Sequence, residues 1–384
     1  MSNLNYLEFD ENQSFIKDTI REFTLNRIKP FVMEWDEAQT FPISMMHQLG
    51  ELGFLGILVP EKYSGAGLGY TEYSIVVEEI ARIDPSVALS VAAHNGLCTN
   101  HINLFASESQ KEKYLHDLAT GRKIGAWGLT EPASGTDAGG MQTTAEKNGD
   151  VYILNGTKNF ITHGASGETA VIMAVTDKSK GTKGISAFIV EKGTPGFSVG
   201  KKENKLGMRA SETTQLIFEN CEVPAENLIG EEGEGFRQAM KILEGGRISI
   251  AALSCGLAMG CLESSLEYSQ QRKQFGKAIA DFQAIQFKLA DMATELEAAR
   301  LLTYRSASLK DAGQPIAQAA SMAKLFSSEI ATKASNEAVQ IFGGYGFVKD
   351  YPVEKYYRDV KLLTIGEGTS EVQRIIIARN LLND

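Results

Sequence analysis

The sequence predicts an α+β fold with an N-terminal α-helical domain, a middle antiparallel β domain and a C-terminal four-helix bundle. Three observations predict it: helical patterns up to about residue 120, short β-rich runs separated by turn residues up to about 230, and apolar residues at steps of three and four beyond that point. We therefore predict three domains, at residues 1–121, 122–230 and 231–384, a natural number for a chain of 384 residues.

The first domain is predicted to contain helices around Glu11–Arg27, Tyr70–Ile83 and Glu108–Leu118. Its glycine-rich stretch 65–69 has the spacing of a weak dinucleotide loop, but no convincing strand precedes it and no βαβ unit follows. We interpret this stretch as a loop between helices.

Two histidines of this domain, His94 and His101, lie seven residues apart and are able to share a helix face. We interpret them as packing or hydrogen-bonding residues, and the sequence predicts no metal site, because no histidine or cysteine spacing matches a zinc motif.

The middle domain is predicted from short runs rich in β-branched and aromatic residues. Turn residues at Asn148-Gly149-Asp150 and Asn155-Gly156 separate some of them. This spacing favours an antiparallel barrel or sandwich over alternating βαβ units. The runs are Val151–Leu154, Phe160–Thr162, Val171–Met173, Ile185–Val190 and Leu216–Phe218.

The C-terminal domain is predicted to hold four helices, at about 233–271, 280–312, 315–342 and 369–382. Apolar residues at steps of three and four predict a bundle seam on the second helix and continue the pattern on the third. They are Phe282, Ile285, Leu289, Met292, Leu296 and Ala299, then Ala323, Phe326, Ile330 and Ala334.

Composition and charge exclude several classes of function. The net charge of −10 argues against a nucleic-acid surface, which is normally basic. No apolar run reaches the roughly 20 residues that span a bilayer, and the N-terminus resembles neither a secretory signal nor a transit peptide. The four cysteines are scattered, which fits a reducing compartment. We expect a cytoplasmic protein without a nucleic-acid or membrane partner.

The segment Ile365–Glu371 is the most informative of the chain. It places Glu367 between two glycines, which let the backbone bend sharply and approach a ligand closely. Ser370 and Gln373 form a capping-box pattern that predicts a helix start, followed by an apolar face at Val372, Ile375 and Ile376. Taken alone, the segment leaves two interpretations open: Glu367 is a general base, or it is a solvated acid that complements a helix N-terminus.

Two other segments pair an aromatic residue with a nearby threonine. Trp127 precedes Leu129-Thr130-Glu131-Pro132, and Phe160 precedes Thr162. Aromatic faces, hydroxyls and exposed amides together suit a planar heteroaromatic ring with hydrogen-bonding edges. The alternative is an ordinary turn with local side-chain hydrogen bonds.

Two helix ends offer features suited to phosphates. Gln271–Gly276 is a basic break between helices, in which Arg272 supplies bidentate donors. Gln340–Gly346 is a glycine-rich helix end that permits close backbone approach. The alternative for both is a solvated turn and a helix C-cap.

Together these motifs resemble those of the acyl-CoA dehydrogenases, flavoenzymes that introduce an α,β double bond into acyl-CoA thioesters. The resemblance covers essentially the whole chain and implies the three-domain fold predicted above. The matching motifs are Leu129–Pro132, Asn155–Lys158, Lys205–Arg209, Arg272–Phe275, Gln340–Gly344, Tyr351–Glu354, Arg358-Asp359 and Glu367–Ser370.

The resemblance also implies residue roles. It makes Glu367 the catalytic base and FAD the cofactor. Residues implied to surround the flavin ring are Trp127, Leu129, Thr130, Phe160 and Thr162. Residues implied to reach the FAD of a neighbouring subunit are Arg272, Gln274, Phe275, Gln340 and Gly344, while Thr369 and Glu371 are implied to hold its pyrophosphate and ribose. Residues implied to lie along the CoA path or near the base are Thr136, Ser186, Glu244, Arg247 and Gly368.

The implied reaction converts a short- to medium-chain acyl-CoA, straight or branched, into the trans-2-enoyl-CoA, as in fatty acid β-oxidation. Glu367 removes the α proton, the β hydrogen leaves as hydride to flavin N5, and an electron-transferring flavoprotein reoxidises the flavin of a homotetramer. Branching stays open because Gly366 stands where some members carry tyrosine, and because Ala93–Cys98 is similar to a stretch of branched-chain members. Gly246 stands where other members place the base on a helix, so that position supplies no carboxylate here.

Two alternatives remain. One is a flavin-dependent oxidase on the same scaffold, against which Glu367 argues because an aspartate base would favour it. The other is a non-catalytic assembly protein without FAD, which would be expected to lack Glu367 or Arg272.

Overall fold

The computed structural model describes residues 9–383 and confirms the predicted fold class: helices, then a β region, then long helices. The N-terminal helices are α1 (Glu11–Phe23), α2 (Val32–Ala38), α3 (Ile43–Glu51), α4 (Tyr70–Ala81), α5 (Pro85–Ala93), α6 (Asn100–Phe105) and α7 (Glu108–Ala119). Residues 65–69 form a loop that leads into α4, as the sequence predicted.

Side-chain caps fix where these helices begin. Asp10 accepts a hydrogen bond from the Gln13 amide at 2.8 Å, and the Gln13 side chain accepts one from the Asp10 amide at 3.3 Å, which completes a capping box at α1. Asp84 caps α5 through the Ser86 amide at 2.9 Å, with Pro85 at the first helical position. A π-helical turn, His94–Thr99, joins α5 to α6. The sequence pattern gave no sign of this turn, a feature often found at functional sites.

The N-terminal helices and the C-terminal bundle pack as one body. Helix α8 (Gly235–Gln271) approaches the end of α4 so closely that a Cβ on Gly256 would lie 2.2 Å from the Glu78 carbonyl oxygen. Asp311, at the end of α9 (Gln283–Asp311), accepts hydrogen bonds from the Tyr70 and Thr71 amides at 2.6 and 3.0 Å. It therefore caps α4 from a distant part of the chain. The largest apolar core runs through both regions, from Ile20 to Leu363.

The middle region is one eight-stranded sheet. Its strands are β1 (Gly125–Gly128), β2 (Thr144–Asn148), β3 (Val151–Thr162), β4 (Thr169–Val175), β5 (Ile185–Glu191), β6 (Phe197–Lys202), β7 (Thr213–Pro224) and β8 (Leu228–Ile229). Seven of them follow the order β6-β7-β3-β2-β4-β5-β8. Most pairs are antiparallel, but β1 and the first residue of β2 both pair with β4 in parallel. Strand β1 enters from α7 and not through a hairpin, so no tight turn forces it to run antiparallel.

One sequence prediction for this sheet is wrong. Asn155-Gly156 is not a turn between two strands, because β3 continues through it with a register shift between Leu154 and Gly156. Gly156 takes a φ of 147° and lies against Thr143, where a Cβ would be 2.5 Å from the hydroxyl oxygen. The glycine therefore marks a β-bulge, which a sequence pattern does not distinguish from a turn.

The C-terminal bundle consists of α8, α9, α10 (Ala317–Phe342) and α12 (Ser370–Asn383), with the short α11 (Val353–Asp359) between the last two. A small hairpin of β9 (Lys273–Gln274) and β10 (Lys277–Ala278) connects α8 to α9. Helix α8 is long and apolar enough to cross a membrane, but 89% of its most apolar 18-residue stretch is buried inside the protein. It is the core helix of the bundle.

Burial along the predicted seams is uneven. Met292, Leu296 and Ala299 of α9 are buried, whereas the earlier seam residues Phe282, Ile285 and Leu289 are only partly so. On α12, Ile375 is 49% exposed, so its predicted apolar face is not fully covered within this chain. The domain boundaries at 121/122 and 230/231 stay predictions.

Candidate active site

Glu367 occupies a strained turn immediately before α12. Its φ is +53° and that of Gly368 is +97°, so two consecutive residues lie in the left-handed half of φ/ψ space. Glycine takes this conformation freely, but glutamate does so at a cost of about 1 kcal/mol or more. Such a conformation persists where the surroundings hold it, and it occurs often at functional sites.

Two side chains hold this turn through one carbonyl. Lys324 Nζ of α10 donates to the Gly368 oxygen at 2.7 Å, and Gln373 Nε2 of α12 donates to it at 2.9 Å. The predicted Ser370–Gln373 capping box is wrong: the Ser370 hydroxyl has no hydrogen-bond partner among the described residues, and Thr369 Oγ1 accepts from the Val372 amide at 3.4 Å. Thr369 is the N-cap, one residue earlier, which frees Gln373 to hold the turn.

The Glu367 carboxylate rests directly on helix α8. A Cβ placed on Gly246 would lie 1.8 Å from Glu367 Oε2, so only glycine leaves room for the carboxylate. Glu367 Oε2 is buried and has no hydrogen-bond partner among the described residues. Buried carboxylate oxygens are normally paired, and an exception indicates a catalytic role or a missing ligand.

Burial raises the pKa of Glu367 to about 7, while the cationic side chains of Lys324 and Arg247 act in the opposite direction. Arg247 is 7% exposed, its Nε atom is without a partner among residues 9–383, and burial lowers its pKa. A carboxylate whose pKa lies near neutrality is well suited to proton abstraction, because it is both available and sufficiently basic.

The loop that follows β1 is fastened to β3. Lys158 Nζ donates to the Leu129 carbonyl at 3.2 Å, and the Asn159 amide donates to the Thr130 carbonyl at 2.8 Å. Lys158 also forms a buried ion pair with Glu131 at 2.7 Å, and burial lowers the pKa of Lys158 to about 8. The structure thus brings Leu129 and Thr130 next to the β3 segment that carries the second predicted pair.

That second pair lies at a β-bulge. The register of β3 against β7 shifts between Lys158 and Ile161, and within the bulge Phe160 takes a φ of +57° and is 61% exposed. Asn159 Oδ1 is buried without a partner among the described residues, and Thr162 pairs with Thr213 of β7. An aromatic face directed outward beside an unused acceptor suits a heteroaromatic ring.

Trp127 is oriented by a histidine. Its Nε1–H donates to His101 Nδ1 at 3.0 Å, and His101 Nε2 lies 3.0 Å from Gln238 Oε1. Burial lowers the pKa of His101 to about 4, so its ring is neutral, accepts at Nδ1 and donates at Nε2. The hydrogen-bonding role predicted for this histidine is therefore confirmed.

A second predicted group lies around a cavity of about 600 Å³ at the other end of α8 and α10. Arg272, Gln274 and Gly344 line it, and the Arg272 guanidinium lies 5.4 Å from the ring centre of Tyr345. Phe275 is 94% exposed beside it, and Gln340 is exposed on the last turn of α10. The lining residues come from the last turns of α8 and α10 and from the segments that follow these two helices.

The predicted substrate residues do not all lie beside the base, although Glu244 and Arg247 are close enough to interact electrostatically there. Thr136 is on an exposed loop, and Glu244 pairs with Lys241 at 2.9 Å. Ser186 is fully buried in β5, where its hydroxyl lies 2.8 Å from that of Thr176 and accepts from the Gly233 amide at 2.9 Å. Near the base, Gly368 forms the turn and Glu371 is exposed on α12. The roles of all predicted site residues stay predictions.

Lys324 is the residue near the base that the sequence did not single out. It is buried, and its contact with the turn joins positions 44 residues apart. Its only local signal is a lysine within the small and apolar stretch Ala317–Phe326.

Models of three consecutive protein domains match nearly the whole chain: the acyl-CoA dehydrogenase N-terminal domain at residues 10–122, the middle domain at 126–221 and the C-terminal domain at 233–382. The chain belongs to the acyl-CoA dehydrogenase family. Members of this family are flavin-dependent oxidoreductases with FAD as cofactor, so the family, enzyme class and cofactor predicted from the sequence are confirmed.

Individual relatives cover nearly the full length of the chain. The short-chain specific acyl-CoA dehydrogenase of Clostridium acetobutylicum is 49% identical over 95% of this chain and 97% of its own. The butyryl-CoA dehydrogenase structure from Megasphaera elsdenii is 46% identical, with a TM-score of 0.96 over 98% and 99% of the two chains. A chain from a structure of the electron transferring flavoprotein of Acidaminococcus fermentans is 50% identical, with a TM-score of 0.97 over 98% and 100%.

The described residues fit an FAD. The outward Phe160, the unpaired Asn159 Oδ1 and the tied loop at Leu129 and Thr130 suit a flavin ring. The open glycines at positions 343 and 344, where an added Cβ would meet nothing within 4 Å, leave space beside Arg272 for a phosphate or nucleoside.

Proposed function

We propose that this protein dehydrogenates short- to medium-chain acyl-CoA thioesters at the α,β position, with Glu367 as the catalytic base. One observation carries the proposal: the Glu367 carboxylate has a buried, unpartnered oxygen and a pKa of about 7, and it lies on a turn fixed by Lys324 and Gln373. The family fixes the class of reaction, and this geometry supplies the proton acceptor that the reaction needs.

The proton step follows from the surroundings of Glu367. Its charged form takes the α proton of the thioester, and a buried oxygen without a competing donor is free to receive that proton. An apolar acyl chain that displaces water from this position raises the basicity of the carboxylate further. By the family resemblance, the Glu367 backbone amide donates to the thioester carbonyl, where negative charge develops. Bound FAD supplies the hydride acceptor.

Support for a short acyl chain comes from the relatives. One is named as short-chain specific and another as a butyryl-CoA dehydrogenase, at 49% and 46% identity. Gly366 beside the base has open space, since an added Cβ would first meet Leu362 at 3.5 Å, so a branched acyl group stays admissible. Each buried methylene contributes about 0.8 kcal/mol, enough for a several-fold preference. The test is kcat/KM for acyl-CoAs from C4 to C16, together with isobutyryl-CoA and isovaleryl-CoA. A maximum between C4 and C8 is expected, and a maximum at C12 or beyond would contradict the proposal.

The proposed electron acceptor is an electron-transferring flavoprotein, which the structure named for such a flavoprotein supports at 50% identity.

The proposed assembly is a homotetramer. It is supported by large apolar side chains that this chain alone leaves exposed: Phe275 at 94%, Phe347 at 87%, Leu382 at 84%, Phe287 at 64% and Leu381 at 61%. A cytoplasmic setting is supported by four free and buried cysteines.

The decisive variant is Glu367→Gln, which keeps the shape of the side chain and removes the base. We expect turnover to fall by about 100-fold or more while FAD content and fold remain normal. In the wild type, kcat/KM should rise with pH through about 7, because the carboxylate must be charged to accept the proton. Glu329→Gln is the matched control, since Glu329 is exposed and pairs with Arg374 on α12. A Glu367→Gln enzyme with more than about a tenth of wild-type turnover would rule out this base.

A further inference from the structure

Lys324 is a buried cation that the proposed reaction does not use. It lies on α10 with its side chain fully buried, and its ammonium group donates to the Gly368 carbonyl at 2.7 Å. Burying a charged lysine costs free energy unless its ammonium group is paired or has a functional role, because burial favours the neutral form. The only hydrogen bond to a described residue that its Nζ makes is the one to the turn that carries Glu367.

The Gly368 carbonyl accepts a second hydrogen bond, so Lys324 is not the only residue that holds this turn. Gln373 Nε2 reaches the same oxygen at 2.9 Å and carries no charge. The difference between the two donors is therefore electrostatic. Lys324 is the largest source of the attraction that favours the charged form of Glu367, ahead of Arg247.

We propose that Lys324 is a positioning residue for the catalytic base, which holds the Glu367-Gly368 turn through the Gly368 carbonyl and, through its positive charge, favours the ionised form of the buried Glu367 carboxylate. This inference rests on the proposed role of Glu367 as base. Burial and the cation act in opposite directions. Burial makes Glu367 more basic, and the positive charge of Lys324 limits this effect, so that the base is not fully protonated before substrate arrives.

Several groups besides Lys324 face this pair, and they set the background against which it acts. Arg247 contributes positive charge from α8, while Tyr70 and Tyr73 of α4 are neutral because burial raises their pKa values well above 10. The acidic groups that act on Lys324 or on these tyrosines are Glu244 of α8, Glu329 of α10, Glu371 of α12 and Asp311 of α9. Burial lowers the pKa of Lys324 to about 8, so it is charged at pH 7.

The pH profile of kcat/KM distinguishes this role from a merely structural one. Lys324→Met removes the charge and keeps most of the volume of the side chain. The acid limb of the profile, where kcat/KM rises as Glu367 loses its proton, should move to higher pH by about one unit, because the pKa of Glu367 rises when an opposite charge is lost. Activity should then fall about tenfold below pH 6 and much less at pH 9. Lys324→Arg keeps the charge and should leave the limb within a few tenths of a unit of the wild type.

Gln373→Met is the matched control, because it removes the uncharged donor from the same carbonyl oxygen. It should lower kcat at all pH values and leave the acid limb in place. Lys324→Gln, which retains a donor without charge, should shift the limb as Lys324→Met does and serves where Lys324→Met folds poorly. FAD content by visible absorbance verifies that each variant retains its cofactor.

The outcomes separate this inference from the proposed function. If Glu367→Gln retains turnover, the base assignment fails. If Glu367→Gln abolishes turnover but Lys324→Met and Lys324→Gln keep the wild-type limb, only the role of Lys324 is overturned. The same holds if Gln373→Met moves the limb as far as Lys324→Met does, because geometry and not charge would then set the pKa of the base.

Discussion

Glu367 and Phe275 have nearly the same backbone φ angle but lie in opposite surroundings. Their φ angles are +53° and +54°, and each is followed by a glycine with positive φ, at +97° and +81°. The Glu367 carboxylate is pressed against Gly246, and its turn is held by side chains of the same chain. Phe275 is 94% exposed at the tip of the β9–β10 hairpin, where an added Cβ on Gly276 would meet nothing within 4 Å.

The two turns differ in whether contacts within the chain offset the strain of a positive φ. A two-residue hairpin with positive φ at both central positions normally carries Asn-Gly, and phenylalanine there is a genuine outlier. No residue in the described part of this chain buries the Phe275 ring, so packing within the chain does not offset this strain. We infer that the base turn is complete within one chain, whereas the Phe275 turn is adapted to something outside it, in keeping with the proposed tetramer and shared FAD.

The sharpest way to break the base turn is to fill the space that its carboxylate occupies. Gly246→Ala places a methyl group where Glu367 Oε2 lies, at 1.8 Å, so the carboxylate must move. We expect kcat/KM to fall at least about tenfold, since small misplacements of catalytic groups are costly. Gly366→Ala is the control, because its methyl group would meet Leu362 at an ordinary 3.5 Å. Equal activity of the two variants would show that the base does not depend on this contact.

The second prediction concerns the cavity near Phe275. Arg272→Ala removes the guanidinium that lines it, and we expect weaker FAD retention together with a less stable oligomer, because bound ligand stabilises the assembled state. Gel filtration with absorbance detection and light scattering measures both. Lys273→Ala removes the same charge from a neighbouring exposed side chain and should leave both unchanged. A stable Arg272→Ala monomer that keeps its flavin would contradict the inference.

A milder change sharpens the comparison itself. Phe275→Asn gives the hairpin a residue that tolerates positive φ, so the fold of the subunit should be unaffected or slightly more stable. The contact outside the chain is lost, so we expect FAD affinity or the tetramer–dimer equilibrium to weaken several-fold. If the variant is more stable but keeps the wild-type tetramer–dimer equilibrium and FAD affinity, Phe275 makes no contact outside the chain. The inference about the Phe275 turn would then be wrong.

The sequence predicts most of the fold because its patterns are local, and the motif around Glu367 singles that residue out as the proposed base. Glycines around Glu367, apolar steps in the bundle and turn-bounded β runs all lie within short windows. What it missed depends on contacts between distant segments. Lys324 reaches Gly368 across 44 residues, and Gly156 in the bulge packs against Thr143, which immediately precedes the neighbouring strand β2. The helix cap fell one residue early, on Thr369, because two adjacent hydroxyl residues satisfy the same pattern.

The cap that Asp311 places on α4 has a consequence for how the chain is made. Tyr70 and Asp311 are 241 positions apart. At a synthesis rate of about 5–20 residues per second, roughly 12–48 seconds pass between their emergence from the ribosome. During that time the start of α4 lacks the cap from Asp311, and its neighbour α8 is complete only once residue 271 has been made. The first third of the protein is thus expected to wait, incompletely packed and in need of protection, until the last third arrives to complete it.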